Sequence, residues 1–180
     1  MLNSRELSNF ITGPLGEKNI QQVGIDLNLM EVARIDDRWK DCGAVLVDET
    51  KLPRYSAISP ESVSGIDGES WVLTVGVYSI VFTQGCDIPC DTVLFIRQRS
   101  SLLRCGTIIH SSVFDPGFKT KHIGCVMIVH APIIIEVGAR VAQIYGHKCS
   151  EVAVEDLYGN ESKGSQFQND NQRDANTKHD

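Results

Sequence analysis

Between residues 20 and 155 the chain alternates short apolar runs with Gly, Pro, Asp and Ser, a pattern that predicts a compact all-β domain. The runs VGIDLNLMEV, GAVLV, SWVLTVGVYSIVF, TVLFIR, GTIIHSS, GCVMIVHAPIIIEV and ARVAQIYGH each read as a candidate strand. Residues 52–70, LPRYSAISPESVSGIDGES, offer little core-facing periodicity and predict a long loop or extended arm. Ahead of the strands, Asn3 and Glu6 have capping-box spacing. Leu7, Phe10 and Ile11 then share one face of a short helix. No internal repeat is visible.

After Tyr158 the pattern stops. GNESKGSQFQNDNQRDANTKHD has Phe167 as its one aromatic residue and too little apolar surface to order by itself. The chain therefore divides into a β domain, 1–158, and a flexible C-terminal arm, 159–180. The arm either frays or folds over a ligand. In the second case Phe167 is a stacking group, and Lys163, Gly164 and Ser165 are phosphate contacts.

Composition bounds the class. A length of 180 residues suits one domain with a real core, and 42% hydrophobic with 22% charged residues is ordinary for a soluble globular protein. No apolar run approaches the roughly 20 residues that span a bilayer, and MLNSRELSNFI does not read as a secretory signal, so no membrane partner is expected. Of six cysteines, four lie in or beside apolar strand-like runs, as small buried thiols in a reducing, cytoplasmic compartment would. Cys86 and Cys90 have a ligand-like spacing, but no second cysteine pair or compact histidine pair completes a zinc site.

Charge changes the picture more. The formal net charge is −6, yet residues 97–121 hold Arg97, Arg99, Arg104, Lys119 and Lys121 against one acid, Asp115, a local +4. Such an inversion points either to bound phosphates or to a solvated basic strand face. One short basic run in an acidic chain does not make an extended nucleic-acid track.

Four motifs, GIDLNL, RQRSSLLR, VFDPGF and GARVAQI, occur in an order and spacing that resemble the dUTPase/dCTP deaminase superfamily, in its dCTP-deaminase-like branch. The resemblance runs from about residue 20 to residue 168 and is weakest between 30 and 70. It implies a distorted β-barrel or jelly-roll assembled as a homotrimer, with sites at subunit interfaces and a pyrimidine deoxynucleoside triphosphate as ligand. Arg99, Ser100, Ser101 and Arg104 match the phosphate-binding segment, where forked guanidiniums and hydroxyls suit an anion. Asp115 matches the aspartate at the deoxyribose and reacting centre, and Phe118 the aromatic residue that packs on the sugar. TIIHSSV matches the hairpin whose backbone reads the pyrimidine. Gln143 matches a phosphate-contacting glutamine, and Asp26 a structural or metal-supporting aspartate.

The superfamily runs two reactions. Deamination needs a glutamate that moves protons while water attacks C4 of cytosine, and ungapped comparison puts Cys125 at that position. The next acid downstream is Glu136. A thiol is a poor substitute for that carboxylate. Hydrolysis of dUTP to dUMP and pyrophosphate instead needs Mg²⁺ carried on the phosphates, cationic clamps and one acid, for which Asp115 is the candidate. The expectation is therefore a dUTP diphosphatase. A dCTP deaminase or bifunctional enzyme, and a nucleotide-binding homologue without turnover, remain as alternatives.

Overall fold

Six strands form the path through a seven-stranded main sheet: β1 (Ile25–Ile35), β2 (Gly76–Phe82), β3 (Thr92–Gln98), β4 (Thr107–His110), β5 (Gly124–Val129) and β6 (Arg140–Lys148). The computed structural model describes residues 1–36, 38–47 and 50–157. The strands lie antiparallel in the order β3-β6-β1-β2-β5-β4, with Tyr55–Ala57 also paired to β1. Past β4 the chain returns to β3, where Phe114 and Leu94 exchange amide hydrogen bonds of 3.0 and 3.1 Å. That bridge nearly closes the sheet into a barrel, as the family resemblance implies.

Period-2 alternation decides which side chains enter the barrel. On β3, Leu94 and Ile96 are buried while Phe95 is half-buried and Arg97 exposed. Leu27, Ile80, Phe82, Ile109, Met127 and Ile144 join them in one core. On the outer face Phe95 stacks on its cross-strand partner Tyr145, with ring centroids 5.6 Å apart. The next outer row is Arg97, Gln143 and Asp26, each opposite the next across β3, β6 and β1.

Several expected boundaries shift. The run SWVLTVGVYSIVF forms two strands, Glu69–Leu73 and β2, parted at Thr74, whose carbonyl accepts the Tyr78 hydroxyl at 2.7 Å. GCVMIVHAPIIIEV likewise breaks before Pro132, which has no amide to donate, and resumes as Ile133–Glu136. This last strand pairs with Glu69–Leu73, which pairs with Glu61–Ser62, so the 52–70 segment contains strand as well as loop. Of GAVLV only Ala44–Val45 is strand.

The helix α1 covers only Ser4–Leu7, with the Asn3–Glu6 capping box formed, because Ile11 is drawn into pairing with Cys86. Burial is also narrower among the thiols than expected. Only Cys86 and Cys125 are buried, whereas Cys42, Cys105 and Cys149 are exposed and Cys90 is half-buried. Cys105 caps the end of the helix α2 (Ser100–Arg104), and Cys149 lies just past β6, so an apolar flank in sequence does not carry either inside.

Gly24 sets the start of β1. Its φ is +92°, and a Cβ there would stand 2.4 Å from the Ile144 carbonyl oxygen on β6. Gly24→Ala should therefore destabilise the domain by about 2–4 kcal/mol, combining backbone strain with a forced separation of β1 and β6. Urea unfolding checks this through a lowered midpoint at unchanged slope.

Candidate active site

Arg99 stands between β3 and α2, and its environment is built by three separate parts of the chain. Its Nε lies 3.2 Å from Oδ2 of Asp26, and its Nη1 donates to the Arg140 carbonyl at 3.2 Å. Asp26 follows the first residue of β1 and is only 1% exposed. Its Oδ2 also accepts from Arg140 Nη1 at 3.0 Å, and the same nitrogen donates to the Lys18 carbonyl. Burial pushes the Asp26 carboxyl above its ordinary range, while the Arg99 and then the Arg140 guanidinium pull against that rise.

Buried amides support this cluster from below. Asn19 Nδ2 donates to the Asp26 carbonyl at 2.8 Å and to Asn28 Oδ1 at 2.5 Å. Gln84 receives the Asn28 amide at 2.9 Å and donates to the Pro14 carbonyl at 2.8 Å. Asn19 and Gln84 are both buried, so these bonds are needed to satisfy them.

The remaining phosphate-segment residues sit close by. Leu102, 6% exposed, anchors α2 to the core, and Ser100, Ser101 and Arg104 stay exposed on it. Gln143 is half-buried opposite Asp26, with Arg97 on its other side. The structure thus gathers Asp26, Arg99 and Gln143, with the Ser100–Arg104 turn continuing directly from Arg99. Arg140, which sequence reasoning passed over inside GARVAQI, belongs to the same cluster.

Asp115 and Phe118 are elsewhere. Residues 115–118 form a type II turn: Phe118 N donates to the Asp115 carbonyl at 3.1 Å, Pro116 takes the second position, and Gly117 supplies the required positive φ of 84°. Gly117 N donates to the Ile88 carbonyl, and Ile88 N to the Phe118 carbonyl, each at 3.0 Å, so the turn is clamped on both sides. Phe118 packs on Phe114 at 5.6 Å between ring centroids, and Asp115 is exposed. The turn is level with Leu94 on β3, five residues from Arg99, or roughly 16 Å at ~3.3 Å per residue. One chain therefore does not bring Asp115 to Arg99.

Between the outer face of β3 and β6 and residues His110–Val113 lies a depression of about 100 Å³, lined in part by Phe95, Arg97 and Tyr145. Lys163, Gly164, Ser165 and Phe167 lie outside the described residues. Among the described residues no group of three or more His, Cys, Asp or Glu is arranged to hold a metal ion, and no helix is long and apolar enough to cross a membrane.

A family model described as dCTP deaminase-like matches residues 2–148. The chain belongs to the dCTP deaminase-like family. It is 34% identical over 142 residues to the deoxyuridine 5'-triphosphate nucleotidohydrolase of Methanocaldococcus jannaschii, covering 77% of this chain and 84% of that protein. A probable deoxyuridine 5'-triphosphate nucleotidohydrolase of Methanopyrus kandleri is 36% identical over 133 residues, covering 72% and 79%. Among solved structures, 2'-deoxycytidine 5'-triphosphate deaminase from Agrobacterium tumefaciens shares the fold at a TM-score of 0.57 and 16% identity. The match covers 81% of this chain and 47% of that one, so this chain spans about half of the deaminase.

Within this dCTP deaminase-like chain, Cys125 is a core residue. It lies on β5 opposite Ile80, is 3% exposed, and packs in the core cluster. Burial alone pushes its thiol far above the ordinary range. Glu136 ends a strand of the separate three-stranded sheet, opposite Ser70. Cys125 has no carboxylate to offer, and the sheet that carries Glu136 is not the one that the Asp115 turn adjoins.

The thiols give a direct check. Native protein at pH 8 should react promptly with a thiol reagent at Cys42, Cys105 and Cys149. Cys86, whose thiol burial pushes up to about 12, and Cys125 should react only on unfolding. Peptide mapping after timed labelling distinguishes the two groups, and prompt modification of Cys125 would contradict its placement.

Proposed function

We propose that the protein is a dUTP diphosphatase, converting Mg²⁺-bound dUTP and water to dUMP and pyrophosphate. The observation that carries this reading is Arg99, a guanidinium fixed by a buried carboxylate and followed by exposed Ser100, Ser101 and Arg104, in a family where archaeal relatives bear that activity in their names. Arg99, Arg104, the two serine hydroxyls and Gln143 hold the phosphates and offset negative charge developing in the transition state. Asp115 accepts a proton from the attacking water, which adds in line to the α-phosphorus as pyrophosphate leaves. Phe118 packs on the deoxyribose, and backbone groups of His110–Val113 read the pyrimidine.

Magnesium enters with the substrate. Asp26 has its Oδ2 committed to two guanidiniums, so its part in this reading is structural rather than metal-supporting. The chain's donor set fits an ion that would be carried by the phosphate oxygens, with Arg99 and Arg104 offsetting the negative charge that remains on them.

The roughly 16 Å between the Asp115 turn and Arg99 supports a site assembled between copies, with the phosphate clamp from one subunit and the aspartate from the next. A homotrimer supplies that arrangement three times. The depression against Phe95, Arg97 and Tyr145, at about 100 Å³, is smaller than the roughly 300 Å³ at which small-molecule sites begin, as half of an interface site would be. The residues from 159 onward, with Lys163, Gly164, Ser165 and Phe167, are assigned to close over the bound triphosphate and exclude water. All six cysteines are free thiols, which suits a cytoplasmic enzyme.

The test incubates the protein and Mg²⁺ with dUTP, dCTP and dTTP separately, following pyrophosphate and ammonia. Pyrophosphate from dUTP without ammonia from dCTP is the expected result, and Asp115→Asn should lower kcat by about 10³-fold. Ammonia from dCTP would overturn the assignment of Cys125 as catalytically silent. Tight nucleotide binding without either product would make the protein a nucleotide binder instead.

A further inference from the structure

Strand β6 carries one more residue than β1 opposes. Ala142 faces Leu27 and Arg140 faces Asn28, so Val141 is the extra residue of a bulge. In a regular strand Arg140 would share the inward face of Ala142 and Ile144, which are both fully buried. The bulge instead turns it onto the outer face, beside Asp26. The bulge's own carbonyls then hold Arg99: Val141 O accepts the Arg99 amide at 2.9 Å, and Arg140 O accepts Arg99 Nη1 at 3.2 Å. With Asp26 on Nε, Arg99 is tied at three points, and the Nη2 side of its fork lies outside that set.

Charge argues for the same role. A carboxylate paired with Arg99 alone would form a neutral pair and weaken its pull on an anion. With Arg140 sharing the same Oδ2, the three groups sum to +1. Arg140 is itself braced by the Lys18 carbonyl, in the Glu17–Asn19 turn whose Asn19 also holds the Asp26 carbonyl.

We propose that Arg140 is a positioning residue for triphosphate binding, fixing Asp26 and Arg99 so that Arg99 stays oriented and the cluster keeps a net positive charge towards the phosphates. The inference rests on the reading of Arg99 as a phosphate contact and goes beyond it, because Arg140 acts through Arg99 rather than on the ligand. Non-additivity therefore distinguishes it from a merely structural residue.

The experiment measures calorimetric binding of a non-hydrolysable dUTP analogue and of inorganic triphosphate to wild type, Arg140→Gln, Arg99→Gln and the double variant. Arg140→Gln should weaken the analogue about 10-fold and Arg99→Gln about 100-fold, with the double variant no weaker than Arg99→Gln. Lys119→Ala, which removes a cation paired to Asp87 instead, should stay within about 2-fold of wild type. Thermal unfolding accompanies each variant. If Arg140→Gln does not fold, Arg140→Lys replaces it in the same cycle, since one ammonium cannot reproduce the shared guanidinium contacts. Wild-type affinity in the Arg140 variant, or losses that multiply in the double variant, would overturn the inference. Binding of inorganic triphosphate without the dUTP analogue would sink the dUTP reading and leave the clamp standing. Binding of neither would sink both.

Discussion

A carboxylate as deeply buried as that of Asp26, at 1% exposure, is tolerated only when its charge is met, and removing one partner of a buried pair costs about 3–5 kcal/mol. Two guanidiniums meet it here, and they come from different parts of the chain. That requirement ties the start of β1, the bulged end of β6 and the entry to α2 into one geometry. The amides of Asn19, Asn28 and Gln84 extend the same constraint to the N-terminal segment, since each hydrogen bond they make relieves a buried or half-buried polar group. An arginine held in this way loses little further freedom on meeting an anion, which is how a rigid scaffold converts stability into recognition.

The Asp115 turn is arranged on different terms. Asp115 is held by backbone alone, in a proline–glycine turn pinned to Ile88 and next to the Phe114–Leu94 bridge. Its carboxylate stays exposed, available to water and to another molecule of the chain. Five residues of β3 separate this turn from Arg99, so one barrel holds the two roughly 16 Å apart. Under the proposed interface assembly that separation would become a site, and the stacked Phe95 and Tyr145 on the intervening outer face are the kind of surface such an assembly would cover.

Much of this was legible in the sequence. Alternating apolar residues located six of the seven strands of the main sheet and missed Tyr55–Ala57 inside the 52–70 segment, and Asn3 and Glu6 announced their capping box. Cys125 was legible as a small core residue because its neighbours on β5 are all apolar. The bulge at Val141 was not, because a one-residue slip leaves the composition of GARVAQI unchanged while reversing the face of Arg140. The breaks at Thr74 and before Pro132 were also concealed by long apolar runs that two successive strands share. The exposure of Cys105 and Cys149 was not legible, because being next to an apolar run does not fix the direction of a side chain.

The most direct test of a site divided between copies is subunit complementation. Asp115→Asn and Arg99→Gln, each inactive alone, are mixed, dissociated, reassembled and assayed for pyrophosphate release from dUTP. If clamp and acid come from different subunits, equal mixing should restore about one quarter of wild-type activity, the share of interfaces that pair two intact halves. Activity that stays at the level of the separate variants after mixing would mean that one chain supplies both groups, and would contradict the account.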